Sequence, residues 1–325
     1  MNVDSTLPQA RVRAGGTVLS LLAGPLCAPI LRAHLDGPLR LPDLREYLGG
    51  AAQTTLRGQV GNLRNLGALE RHVRSGMPYT VENELTDVGR GILAVADAVE
   101  AWLERCPQGP LAFGSETAKG AIRALVAGWD STMLRALAAR PLSLTELDNV
   151  ISEISYPAIE RRLSAMRAAR QVEESLQDGK PAKPYAVTEW TRQAVRPLVA
   201  AGRCECEHLA GETDPLTRLD VEAAFLLAAP LASLPATANG ACLLAVSVDD
   251  GEDGGRLVGV DVDVERGEIV SCSASNGLES RSWAKGPVES WTTAILEGPP
   301  SSLELGGENV ELVSELIEGM HRALP

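Results

Sequence analysis

An internal duplication constrains this chain more than any other feature. Ile30-Leu31-Arg32-Ala33 recurs as Met133-Leu134-Arg135-Ala136. Pro38-Leu39-Arg40-Leu41-Pro42-Asp43-Leu44 recurs as Pro141-Leu142-Ser143-Leu144-Thr145-Glu146-Leu147, and both pairs lie 103 positions apart. Leu56, Val60 and Leu63 map at that offset onto Ile159, Leu163 and Met166, and Leu85-Thr86-Asp87 maps onto Val187-Thr188-Glu189 at 102. The pattern predicts two copies of one domain, residues 1–110 and 111–209, differing by a single deletion. Residues 210–325 are left for a third domain, consistent with a length of 325 residues.

Each copy parses alike. A long apolar helix (16–36 and 117–139) precedes a short helix with a carboxylate in its first turn, Asp43 or Glu146, which suits the helix dipole. The next helix carries apolar residues at spacings of four and three, the signature of one buried face. A hairpin follows, turning at Ser75-Gly76-Met77-Pro78 in the first copy and Asp178-Gly179-Lys180-Pro181 in the second. A closing amphipathic helix, 86–106 or 188–208, starts at Thr86 or Thr188 as N-cap. Three helices, a hairpin and a closing helix describe a winged helix-turn-helix.

The run from Gly128-Trp129-Asp130 to Leu137 resembles the opening of HxlR-type winged-helix transcriptional regulators. Ile154-Ser155-Tyr156-Pro157 to Leu163 is similar to their recognition helix, and Pro184-Tyr185-Ala186-Val187-Thr188 to their wing return. The first copy shows the same frame in Thr55-Leu56-Arg57, in Leu66-Gly67-Ala68-Leu69-Glu70-Arg71 and in Val81 to Arg90, but has Pro25 where the tryptophan would stand. The resemblance implies a regulator of transcription, binding double-stranded DNA and pairing through closing helices, and the ratio of 26 arginines to 4 lysines with abundant alanine suggests a GC-rich bacterium. Here the pair is expected to be an intrachain pseudo-dimer, compatible with a further homodimer. Redox sensors of this family place a reactive cysteine before the first helix, and neither copy has one there.

Placing Leu56, Val60 and Leu63 inward turns Thr54, Gly58 and Gly61 outward, with Arg57, Asn62 and Arg64 beside them. Outward glycines cost helix stability, whereas close approach of the backbone to DNA requires them. Arginine serves guanine or phosphate, and asparagine serves adenine. Arg71, His72 and Arg74 make the first hairpin basic. In the second copy Arg161 and Ser164 face outward, while Glu173, Glu174 and Asp178 offset Lys180 and Lys183. The first copy is the expected stronger reader of DNA.

The last third changes character. A helical stretch, 219–232, leads into β-branched segments 241–248, 257–264 and 268–273, which predict an antiparallel sheet. A helix (288–296), a strand (303–305) and a closing helix (310–324) complete it. The series Trp283-Ala284-Lys285-Gly286-Pro287, Trp291, Ile295-Leu296-Glu297-Gly298 and Leu305-Gly306-Gly307 resembles the C-terminal half of sterol-carrier-type domains. That resemblance implies an α+β fold with a tunnel for an apolar small-molecule effector. Phe225, Leu226, Trp283, Trp291 and Ile295 are its expected lining. The overall expectation is thus an α+β chain of two tandem winged helix-turn-helix domains and a sterol-carrier-like ligand-binding domain.

Charge is unevenly spread. The formal net charge is −13, but the three segments carry 0, +1 and −14, so the first two remain able to approach phosphates. An effector that swings the acidic domain toward the wings is expected to weaken DNA binding. Six cysteines in a chain this long read as reduced thiols of a cytoplasmic protein. Arg11 and Arg13 before the apolar stretch 18–31 imitate a secretory signal, but Pro25 and Pro29 interrupt it, and no membrane span is expected. Cys204-x-Cys206-x-His208 lacks the spacing for one metal on a helix, since residues two apart point to opposite sides. No phosphate loop, His-Glu-x-x-His motif or nucleophile elbow is present, so neither an enzyme nor a cofactor is expected. The alternative reading is a sequestering or antibiotic-resistance protein whose winged helices only scaffold assembly.

Overall fold

The computed structural model describes residues 15–74, 79–126, 128–151, 154–175, 183–209, 218–248, 256–275, 282–298 and 302–324. It is a mixed α+β chain with a winged helix-turn-helix near its N-terminus. The first unit runs α1 (Gly16–Leu22), α2 (Cys27–Ala33), β1 (Leu39–Arg40), α3 (Leu41–Tyr47), α4 (Gln53–Asn65), β2 (Leu69–Arg74), β3 (Thr80–Leu85) and α5 (Asp87–Glu104). The single helix predicted over 16–36 is two helices bent by 85°. Pro25 explains the break, since it has no N–H to donate and its ring crowds the carbonyl four residues back.

The second run of elements has the same order. It comprises α6 (Glu116–Val126), α7 (Gly128–Ala139), α8 (Leu144–Val150), α9 (Tyr156–Ala168), β4 (Val172–Glu174), β5 (Tyr185–Val187), α10 (Glu189–Gln193) and α11 (Val195–His208). Helices α4 and α9 are both 13 residues long and begin 103 positions apart. Their inward residues, Leu56, Val60 and Leu63 against Ile159, Leu163 and Met166, are buried. Leu39 of β1 pairs with Asn83 of β3, and Leu142 bridges to Tyr185 in β5. The expected closing helix of the second copy is interrupted at Ala194, because Pro197 cannot donate to the carbonyl of Gln193.

The closing helices pack against each other. Trp102 at the end of α5 stacks on Trp190 at the start of α10, ring centroids 4.6 Å apart and planes 10° from parallel. The two exchange hydrogen bonds: the Trp102 indole N–H donates to the Trp190 carbonyl at 2.7 Å, and the Trp190 indole to the Trp102 carbonyl at 2.9 Å. At the other end, a Cβ placed on Gly91 would sit 3.2 Å from the Cys204 sulfur, so α5 and α11 run antiparallel. Glu205 of α11, itself buried, reaches back to α1 and accepts from the backbone N–H groups of Gly15 (2.7 Å) and Val18 (2.8 Å). Burial pushes its carboxyl above the usual range, and these hydrogen bonds oppose the shift.

The last region begins with α12 (Arg218–Ala228) and a 3-10 turn, Ala229–Leu231. Then come β6 (Gly240–Val248), β7 (Arg256–Glu265), β8 (Glu268–Ala274), β9 (Ser282–Pro287), α13 (Val288–Leu296), β10 (Glu304–Gly307) and α14 (Val310–Ala323). The sheet order is β10-β9-β6-β7-β8. It is mixed rather than antiparallel, because β9 lies parallel to β6 with Leu244 opposite Ala284. Strand β9 escaped the alternation pattern because it contains Gly286 and ends in Pro287. Among the described residues no single helix is long and apolar enough to cross a membrane.

Candidate nucleic-acid interface

Helix α4 is held by its three buried residues against α2 and α3, which leaves a continuous outer face. Thr54, Arg57, Gly58, Asn62 and Arg64 are exposed, and Gly61 is half-buried. A Cβ added at Gly58 or Gly61 would meet nothing within 4 Å. Packing therefore does not demand these glycines, and the helix backbone is open to another molecule along that line. Arg57 and Arg64 make no ion pair among the described residues. Helix α4 also has no side-chain cap at Ala52, so its first N–H groups are available to an acceptor such as phosphate.

The first hairpin is less basic than its sequence implied. His72 lies 3.1 Å from Glu84, and Arg74 lies 2.8 Å from Glu82. The neutralising acids come from β3, paired across the hairpin with Glu70 opposite Glu84 and His72 opposite Glu82. Register brings them there, and a reading of β2 alone misses them. Of the three predicted wing residues, Arg71 alone makes no ion pair among the described residues. The turn at Ser75–Pro78 lies outside the described residues.

In the second unit Arg161 and Ser164 are exposed on α9 as expected, and Arg161 makes no ion pair among the described residues. Ser164 lines a cleft with Pro107 and Gln108, the segment joining the two units. Arg162 is bound to Asp130 at 2.7 Å. Glu174 takes both Arg167 (2.7 Å) and Lys183 (2.8 Å), and Lys183 holds its carboxyl below the usual range. Arg167 also sits 5.3 Å over the Tyr185 ring. Lys183 is thus a neutralised cation of the second hairpin, and Lys180 lies outside the described residues.

Of the five residues expected to line an apolar site, three do so together. Phe225, Trp291 and Ile295 border a cavity of about 220 Å³. Phe225 meets Trp291 edge-on at 4.7 Å, and the Trp291 indole N–H donates to the Ala245 carbonyl at 2.8 Å. Leu226 is buried elsewhere, its carbonyl accepting from Arg192 at 2.6 Å. Trp283 faces Gly306 on β10, with the Lys285 ammonium 4.7 Å above its ring. Both fail as lining for a simple reason: residue 226 follows 225 around the helix, and β9 sends Trp283 to the side away from α12. The cavity also takes Leu198, Val199 and Gly202 from α11, which a search confined to the last third could not find.

Burial pushes the thiols of Cys27, Cys242 and Cys272 up to about 12 and that of Cys204 to about 11. Such thiols hold little nucleophilic thiolate near neutrality. Among the described residues no group of three or more His, Cys, Asp or Glu side chains is placed to hold a metal.

The helix, turn, helix and hairpin of the first unit match a known family. Residues 26–108 match the HxlR-like helix-turn-helix family. The matched stretch begins just before α2, ends beyond α5 and contains the whole candidate interface on α4 and β2. Two solved structures are similar to part of the chain. The diamide-treated YodB from B. subtilis is 27% identical over 27% of this chain and 88% of that chain, with a TM-score of 0.26. The reduced form of the transcriptional regulator YodB from B. subtilis is 28% identical over 29% of this chain and 92% of that chain, with a TM-score of 0.27. Among curated proteins, none matches the chain. The match is to a family of helix-turn-helix domains and falls on the unit that carries the exposed face of α4.

Proposed function

We propose that the chain is a ligand-responsive, cytoplasmic transcriptional regulator of bacterial type that binds duplex DNA through two winged helices paired within one polypeptide. The observation that carries this reading is the outer face of α4, where Arg57, Asn62 and Arg64 stand exposed around Gly58 and Gly61. That face combines base-reading side chains with room for close approach. Arg71 adds a phosphate contact from the wing, and Arg161 with Ser164 gives the second unit a weaker counterpart. The Trp102–Trp190 stack between the closing helices supports the pseudo-dimer. The third domain, 210–325, is read as sterol-carrier-like and as the place where an apolar effector acts.

Two unlike readers held as a pair should protect an imperfect palindrome with half-sites about one helical turn apart. DNase protection on the DNA upstream of the gene tests this with the full chain. One isolated half-site per chain would overturn the pairing, and no salt-dependent DNA binding at all would favour the sequestering alternative.

A further inference from the structure

The cavity of about 220 Å³ does not lie inside the last region; it lies on the seam between that region and the second unit. Leu134 of α7 and Leu198, Val199 and Gly202 of α11 form one wall, and Phe225 of α12 with Trp291 of α13 faces them. The geometry points to a binding site for a neutral, compact molecule of one or two fused rings, seated between α11 and the α12–α13 pair, whose occupancy is felt by α11.

Size comes first. An apolar cavity of about 150 Å³ takes up benzene, so this one suits a slightly larger aromatic or alicyclic body. The chemistry of the wall sets the rest. Trp291 already donates to Ala245, Thr191 to the Gln171 carbonyl at 2.8 Å and Thr292 to the Glu289 carbonyl at 2.9 Å. Most of the rest of the lining is ring and aliphatic carbon, with the Thr293 hydroxyl, the Cys206 thiol and a few charged side chains among it, and a mostly apolar wall rewards an apolar guest. The charged groups on the lining balance, Arg135 and Arg203 against Glu207 and Glu289. Arg203 is moreover bound by Glu207 at 2.8 Å and by Glu297 at 2.5 Å, so that cation is already neutralised.

Gly202 is the second observation. It stands inside α11, where glycine is the least favourable residue apart from proline, and a Cβ placed on it would meet nothing within 4 Å. The space beside it is the cavity. Helix α11 also packs along α5 and carries Glu205, which caps α1. A guest beside Gly202 therefore bears on the helix that joins the two units. This coupling to DNA rests on the function proposed above, whereas the binding site does not.

The probe is 2-naphthol, titrated into the full-length chain and followed by its own fluorescence and by calorimetry. One saturable site is expected, and Gly202→Leu, which fills the space, should weaken it at least tenfold while keeping the wild-type circular dichroism and midpoint of thermal unfolding. If Gly202→Leu does not fold, Ala224→Leu makes the same test from the α12 wall. Absence of saturable binding to the wild type up to the solubility of 2-naphthol, or unchanged binding to a folded filled variant, overturns the site. With operator DNA, saturating 2-naphthol should shift wild-type affinity at least threefold and leave Gly202→Leu unmoved; an unmoved wild type overturns the coupling. A chain that binds 2-naphthol in a Gly202-dependent way yet binds no DNA keeps the site and sinks the regulator reading instead.

Discussion

Gly67 and Arg170 occupy the same place, two residues after α4 and α9, and both hold positive φ, 73° and 60°. Thr86 and Thr188 then do one task in each unit. Each hydroxyl donates to the carbonyl of that positive-φ residue, at 2.6 Å and 2.8 Å, and accepts from the N–H three residues on, at 3.2 Å and 3.3 Å. Outside this shared scaffold the units part. Around α4 the cations Arg57, Arg64 and Arg71 make no ion pair among the described residues and Arg74 is bound to Glu82, while around α9 Arg161 makes none and Arg162, Arg167 and Lys183 are each bound to a carboxylate. The difference teaches that backbone geometry and surface electrostatics are separable: the same frame supports one face open to phosphate and one largely neutralised.

The largest effect should come from breaking the contact that makes the two units comparable. Trp102 is fully buried, and Trp102→Ala should cost about 3–5 kcal/mol, partly because the Trp190 carbonyl loses its donor. Urea unfolding measures this, and a loss below about 1 kcal/mol would show that the units do not depend on one another.

Next comes the asymmetry of the two faces. Arg57→Ala should reduce discrimination against mismatched operator by about 1–3 kcal/mol, and Arg161→Ala should cost less than half as much. Equal losses in a binding titration would make the two faces equivalent readers and remove the asymmetry. The smallest effect probes the shared frame. Thr86→Ala and Thr188→Ala should each cost about 1 kcal/mol of stability, and unequal costs would show that the caps are not interchangeable.

Much of the scaffold was readable because it is local. The inward triplets of α4 and α9 and the Thr N-caps follow from spacing within about 20 residues, on the order of one helix and its flanks. What escaped depends on partners distant in the chain. The acids that quench His72 and Arg74 become visible only with the register of β2 on β3. Strand β9 gains its place from a parallel pairing with β6, some 40 residues earlier on the order of a full crossover connection. The cavity draws on α7, α11, α12 and α13, so three of its lining residues were found from their ring content or bulk, and Gly202, which has neither, was not.

Glu205 has a consequence for how the chain is made. The N–H groups at the start of α1 wait for a carboxylate 190 positions later. At about 5–20 residues per second, a ribosome needs roughly 10–40 s to deliver it. Throughout that interval the first helix has no partner for its leading turn, and the docking surface for Gly15 on Ala201 and Gly202 does not yet exist. Helix α1, although made well before α11, is therefore locked only once α11 has been delivered.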